Sequence, residues 1–388
     1  MSAAPQIDDR LHGLDALRAA AMLLGLVLHA AIPFMQAPFD WVAREPSGGW
    51  TFDLFFTGIH SFRMPTFFLL AGFFSHLVCA RKGWRQFLRQ RAWRIGVPFL
   101  VGMVTLTPLM IWIFVSQTPA AETPSAGLTL WNYPTFHLWF LEVLLMFYPV
   151  AALLGLMGKS VPQAVTALSA AVDWGLARVW PVALLMPAAI VCLWAGSPGG
   201  WLPDGQRLFP EPRVLVFYFQ FFALGWLIHR SSTAGVVLQR KFRPYLGVGL
   251  AGLAGVLIVR IGILSGTLQE SLAVRLLGFA ADTACAWFLS LGLIGACLAL
   301  VKNHHPAIRY VADASYWIYL IHLPIMLFVQ IEIYSWHIPL ATKFLATLII
   351  TTAIGFATYA LLVRHTPIGT LLNGPRKRPS AAQTTGRY

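Results

Sequence analysis

Apolar runs recur along the chain near residues 14–37, 51–79, 92–116, 134–157, 180–196, 213–229, 245–265, 272–301, 310–332 and 341–363. Each is close to the length of about 20 residues that an α-helix needs to cross a bilayer core. The pattern predicts an all-α, polytopic membrane protein with about ten transmembrane helices in one bundle. Residues 161–178 form a shorter run, punctuated by Asp173 and Arg178, and read as a segment lying along the membrane surface. No internal repeat points to a transporter built from two related halves.

Composition agrees with this reading. The chain is 57% hydrophobic and 11% charged, where a soluble domain carries about 25% charged residues, so no sizeable soluble domain fits. A net charge of +13 raises the question of a nucleic-acid partner, and the distribution of the charge answers it. An even number of spans puts both termini on one side. With that side in the cytoplasm, the inner segments hold twenty lysines and arginines, from Arg10 to Arg387, and the outer loops hold only Arg44, Arg207 and Arg213. This is the positive-inside bias, and it accounts for the basic residues with no nucleic-acid motif needed. The expected organisation is a cytoplasmic N-terminus over 1–13, a transmembrane domain over 14–363 and a basic, disordered cytoplasmic tail over 364–388. The first apolar run is too long for a signal-peptide core, and it contains Arg18 and His29. Cys79, Cys192, Cys285 and Cys297 lie in apolar runs without metal-ligand spacing, which predicts free thiols, no disulfide framework and no metal site.

The chemistry lies in the polar residues that interrupt the spans. The stretch Asp15 to Pro33 carries Arg18 and His29 eleven residues apart. At about 100° and about 1.5 Å per residue they share one helix face, roughly 16 Å apart along the axis. On the second span Asp53, Phe56, His60 and Arg63 form one stripe at helical spacing. Alternating helix direction sorts these residues by depth. His29, Asp53, His60, His137, Glu142, Asp282 and His322 fall in the outer half, with Arg63 near the middle. Arg18, Arg91, Arg94 and Asp313 fall near the inner face. On the ninth span Ser315, Tyr319 and His322 share a face. Ionisable residues inside a membrane face a bundle interior or a wet cavity. An anion-binding floor beneath a layer of histidines and carboxylates therefore suggests chemistry conducted across the membrane. Trp41, Trp50, Trp131, Tyr133 and Trp201 cluster near the outer boundary as an interfacial belt, with a minority available to stack on sugar rings.

Five stretches in order resemble the acyltransferase-3 family of membrane O-acyltransferases: GLDALRA at 13–19 with His29, IHSFRMPTFFLLAGFFS at 59–75, RQRAWRIGVPFL at 89–100, HLWFLEVLLMFYP at 137–149 and YVADASYWIYLIHLPI at 310–325. Within the family the branch that succinylates osmoregulated periplasmic glucans is the nearest in pattern. The resemblance implies residence in a bacterial inner membrane. It also implies that His29 is the catalytic histidine, that Arg18 helps orient or bind the donor, that Arg91 and Arg94 contact coenzyme A phosphates, and that His322 closes the motif of the ninth span. Glu142 departs from the branch, where an apolar residue is expected. That departure keeps open an O-acetyltransferase of another envelope polysaccharide.

The mechanism this implies uses acyl-CoA, succinyl-CoA or acetyl-CoA, as a cytoplasmic co-substrate with no permanently bound cofactor. The acceptor is a hydroxyl of a periplasmic glucan or related glycan. His29 acts as general base on that hydroxyl, since an imidazole near pKa 6.5 suits proton transfer at neutral pH. Glu142, Asp53 or Asp282 is available to orient it, and His60, Arg63 or His322 to stabilise the oxyanion. His60, Arg63, Asp53, His137 and Asp282 form the acceptor side. A reading of another class, a transporter or flippase for a lipid-linked saccharide, shares the spans, the buried charges and the aromatic rim.

Overall fold

The computed structural model describes residues 8–117, 129–194, 202–303 and 305–374. The expected N-terminal segment up to Gln6 and Ile7, the tail beyond Gly374 and the belt residue Trp201 lie outside the described residues. Within them the protein is an all-α bundle, and no strand occurs among the described residues. Its helices are α1 (Asp8–Ala31), α2 (Trp50–Arg91), α3 (Val97–Gln117), α4 (Trp139–Met157), α5 (Pro162–Arg178), α6 (Met186–Trp194), α7 (Pro212–Arg230), α8 (Ala234–Leu264), α9 (Leu272–Ala284), α10 (Ser290–Leu300), α11 (Pro306–Tyr334), α12 (Leu340–Thr358) and α13 (Pro367–Asn373). Single π-helical turns join α2 to α3 and α9 to α10.

Among the described residues eight helical stretches are long and apolar enough to cross a membrane, nine with the bent pair that includes α5, against ten predicted spans. One reason is the stretch Trp50–Gln117, which counts once although it runs for 68 residues. Gly83 breaks α2 at φ 75° and ψ 167°, backbone angles that glycine alone adopts readily. Beyond it, Arg91 Nη2 donates to the carbonyl of Phe74 at 3.3 Å. Seventeen residues of straight helix would hold these groups about 25 Å apart, so the chain has doubled back. The two limbs are the predicted spans 51–79 and 92–116. The other reason is the bend of 118° between α5 and residues 180–194. It separates the segment read as surface-lying from the span read after it.

The outside of the bundle is apolar, with Leu100, Val104, Val191, Ile258 and Leu361 all well exposed. Lipid is the solvent such a surface fits. Inside, close packing rests on small residues, as in other membrane bundles. A Cβ on Gly72 of α2 would lie 1.9 Å from the Phe222 carbonyl oxygen, and one on Gly225 of α7 would lie 1.9 Å from that of Leu69. These two helices touch backbone to backbone. Helix α1, with the most telling polar residues, lies among α2, α10, α11 and α12. All four cysteines are free.

Candidate active site

Two cavities flank α1. The first, about 220 Å³, opens near the end of the bundle that holds Arg18 and α13, so both ends of the described chain share that side. Arg18, Arg91 and Arg94 line it together with Tyr148, Tyr316 and Asn373. Arg18 pairs with Asp15 at 3.1 Å, a partner one turn away on α1. Arg91 lies against the rings of Phe87 and Tyr148, 5.5 Å from each centroid, with its Nε buried and without a hydrogen-bond partner. Arg94 turns to α13, donating from Nε and Nη2 to the Leu372 carbonyl at 3.0 and 2.6 Å. The predicted inner Asp313 is not in this cavity; its carboxylate pairs with Arg309 at 3.1 Å.

The second cavity, about 250 Å³, lies towards the opposite end. All four outer-stratum histidines line it, His29 from α1, His60 from α2, His137 from the turn before α4 and His322 from α11, with Arg63 of α2 and Tyr319 of α11. The rings form a chain: His29 and His322 centroids are 5.4 Å apart, and His322 and His137 are 5.1 Å apart. Backbone carbonyls orient three of them. Nδ1 of His322 lies 2.7 Å from the Tyr319 carbonyl, Nε2 of His137 lies 3.0 Å from that of Leu320, and Nε2 of His60 lies 3.1 Å from that of Leu202. A carbonyl only accepts, so each of those nitrogens carries the proton. His322 Nε2 and His137 Nδ1 are then lone-pair nitrogens, and both are buried without a partner. Among the described residues His29 has no hydrogen bond from its ring; Nδ1 is buried and unpartnered, and the ring lies parallel to that of Trp41 at 6.3 Å. Trp41 is fixed by its indole N–H to Gln330 Oε1 at 2.7 Å, and Gln330 donates in turn to the His29 carbonyl at 3.2 Å.

The carboxylates read with these histidines are elsewhere, and none lines the cavity. Asp53 is fully buried one turn beyond the stripe of Phe56, His60 and Arg63. It accepts the backbone N–H groups of Gln36 and Ala37 at 2.7 and 3.1 Å and so fastens the chain leaving α1. Asp282 accepts from Ser61 at 2.6 Å between α9 and α2. Glu142 is buried with neither oxygen hydrogen-bonded among the described residues. The expected carboxylate partner of His29 is therefore not in contact with it. Sequence reasoning also passed over residues the structure brings in. Asp40, Asp204 and Gln206 stand exposed at the cavity rim. Of the aromatics read as an outer belt, Trp41 is a wall of the site, and Trp50 and Trp131 are exposed as belt residues are. The rim forms because residues 133–135 pair with 206–208, through Thr135 N to Gln206 O and Leu208 N to Tyr133 O, both 3.0 Å. Phe136 follows in a left-handed conformation, φ 45°, that puts its ring in the cavity wall against Phe114.

The two cavities have three wall residues in common, Met22, Phe67 and Phe140. Arg18, Met22, Gly25 and His29 follow one another at spacings of four, three and four on one face of α1, so the helix carries a basic chamber below, a thin apolar wall, and a histidine chamber above. A family model described as an acyltransferase domain matches residues 11–360. Proteins named Glucans biosynthesis protein C from Salmonella typhimurium, Salmonella agona and Salmonella typhi are each 27% identical to the chain over 392 residues, covering 96% of it and 97% of their own length. No solved structure matches the chain.

Proposed function

The chain belongs to the acyltransferase family and is a multi-pass membrane O-acyltransferase, and from that premise we propose that it moves a succinyl group from cytoplasmic succinyl-CoA to a hydroxyl of a periplasmic glucan in a bacterial inner membrane. The observation that carries this reading is the pair of chambers back to back across Met22, Phe67 and Phe140. A transfer between compartments needs a cationic pocket for the donor on one side and proton-transfer groups on the other. The name of the Salmonella relatives supports a glucan acceptor, and the likeness in motifs supports a succinyl group.

In this reading Arg91 and Arg94, with Arg18, hold the coenzyme A phosphates, where guanidinium forks match phosphate oxygens. The pantetheine arm enters past Met22 and brings the thioester to His29. His29 takes the proton of the acceptor hydroxyl as its oxygen attacks the thioester carbonyl carbon. The tetrahedral intermediate collapses with loss of the C–S bond, the sulfur takes the electron pair and then the proton from His29, and the coenzyme A thiol leaves towards the arginine chamber. His29 suits the role of base because its ring is the one of the four that no hydrogen bond ties down. His322, with Nε2 as acceptor and a ring 5.4 Å away, is the next group able to take a proton. Asp40, Asp204 and Gln206 at the rim, with Trp41 as a stacking wall, fit a sugar ring.

The test is acyl transfer by the purified protein in nanodiscs, given succinyl-CoA or acetyl-CoA with and without a periplasmic β-glucan, followed by thiol release and glycan mass. Glucan-dependent succinyl transfer is expected, and His29→Ala should lower it by about 10²–10⁴-fold, the usual worth of a general base. Full transfer by His29→Ala removes His29 from the chemistry. Acetyl transfer alone keeps the enzyme class and changes the donor. No binding of any acyl-CoA sends the protein to the transporter class.

A further inference from the structure

Arg63 is a cation in the histidine chamber without a counter-ion. It lines the cavity beside His29 and His322. No ion pair or hydrogen bond ties its guanidinium among the described residues, and its Nε is buried without a partner. The chain makes room for it: Nη1 lies 2.1 Å from where a Cβ on Gly25 would be. Gly25 is one turn of α1 before His29, about 6 Å along the axis. Four imidazoles share its chamber, and the two carboxylates there, Asp40 and Asp204, stand exposed at the rim and form no ion pair with it, while the arginines of the lower chamber lean on Asp15, on aromatic rings or on the α13 carbonyl. A guanidinium removed from bulk water is strongly unfavourable unless an anion joins it. No carboxylate of the described residues pairs with Arg63 inside the bundle, so the anion comes with the substrate.

The acceptor of the proposed reaction is a neutral hydroxyl, and the coenzyme A phosphates belong to the arginine chamber below. The remaining source is the acyl group. We propose that Arg63 is the specificity residue that selects an acyl group with a free carboxylate, a monothioester of a short dicarboxylic acid, by pairing with that carboxylate while the thioester carbon lies at His29. The pairing is bidentate and charge-assisted. It takes no part in the bonds that change: the acceptor oxygen joins the carbonyl carbon, sulfur leaves with the C–S pair, and the distal carboxylate stays ionised throughout. This inference rests on the acyl-CoA donor proposed above and adds the residue that selects its acyl group. A transition-state oxyanion would also attract Arg63, but it forms equally from acetyl and succinyl donors, so selectivity separates the two roles.

The experiment measures kcat/KM of the full-length protein in nanodiscs for succinyl-CoA, its methyl ester and acetyl-CoA, with β-glucan as acceptor, in wild type, Arg63→Gln and Arg63→Lys. Wild type is expected to prefer succinyl-CoA over the neutral methyl ester. Arg63→Gln should cut the succinyl-to-ester ratio by about 30-fold, the worth of one charge-assisted hydrogen bond, chiefly through KM, and Arg63→Lys should restore part of it. Rates that fall equally for all three donors, or a wild type that prefers acetyl-CoA, overturn the assignment and leave the acyl-transfer reading standing. A wild type that uses no acyl-CoA overturns both. Size-exclusion profiles that match wild type exclude misfolding as the cause of any change.

Discussion

Glu142 is buried on α4 with neither carboxylate oxygen hydrogen-bonded, and it opens onto neither cavity. A buried polar group left without partners costs about 1–3 kcal/mol. Glu142→Leu is therefore expected to raise the thermal unfolding midpoint in detergent and to leave glucan-dependent transfer within about twofold of wild type, as substitutions away from a site do. A loss of transfer beyond tenfold would return Glu142 to the chemistry. The residue scale is where the sequence is hardest to read. Helical spacing correctly puts Phe56, His60 and Arg63 on one face, but it does not say where along that face the cavity stops, and Asp53 lies one turn past its edge. Spacing is also silent on the loops. Asp204 and Gln206 reach the rim through chain pairing between 133–135 and 206–208, and Trp41 is set in the wall by its indole N–H to Gln330, which no periodicity foretells.

At the scale of elements, α13 is seven residues long and its sequence shows no purpose, yet it holds an arginine of the lower chamber in place. Leu372 sits in its last turn, and the carbonyl there accepts both Nε and Nη2 of Arg94, while Asn373 Nδ2 donates to the Asp313 carbonyl on α11. The helix C-terminus also favours a cation, by about 0.3–1 kcal/mol. Removal of α13 by truncation after Thr366 and the point change Arg94→Ala are each expected to weaken acyl-CoA binding several-fold, read by isothermal titration. Because both act through one contact, the double variant should be no weaker than either alone. Additive losses would mean that α13 and Arg94 act separately. The spans themselves were legible, since an apolar run of crossing length has few other uses. The reversal between 51–79 and 92–116 was legible too, because the basic run from Arg81 to Arg94 interrupts the apolar pattern; its exact point, Gly83 at φ 75°, was not.

In the proposed reaction the whole molecule must let an acyl group cross while denying water the same path. Its two chambers, about 220 and 250 Å³, point to opposite ends of the bundle and meet at Met22, Phe67 and Phe140. Phe67 and Phe140 brace each other with centroids 5.5 Å apart, and Phe140 rests in turn on Tyr319 at 6.3 Å. Met22 has no such ring partner, and an unbranched thioether changes rotamer easily, so it is the member of the wall that yields to a pantetheine arm. Met22→Ala is expected to join the chambers and admit water from the histidine side to the thioester. Thiol release from succinyl-CoA without glucan should then rise by about tenfold, while Met22→Leu, close to the original volume, stays near wild type. Hydrolysis unchanged in Met22→Ala would mean that the wall is not the barrier and that the donor reaches His29 by another route. Hydrolysis that rises only in Met22→Ala, and falls again in Met22→Ala combined with His29→Ala, would tie the barrier and the base to one path along the same face of α1.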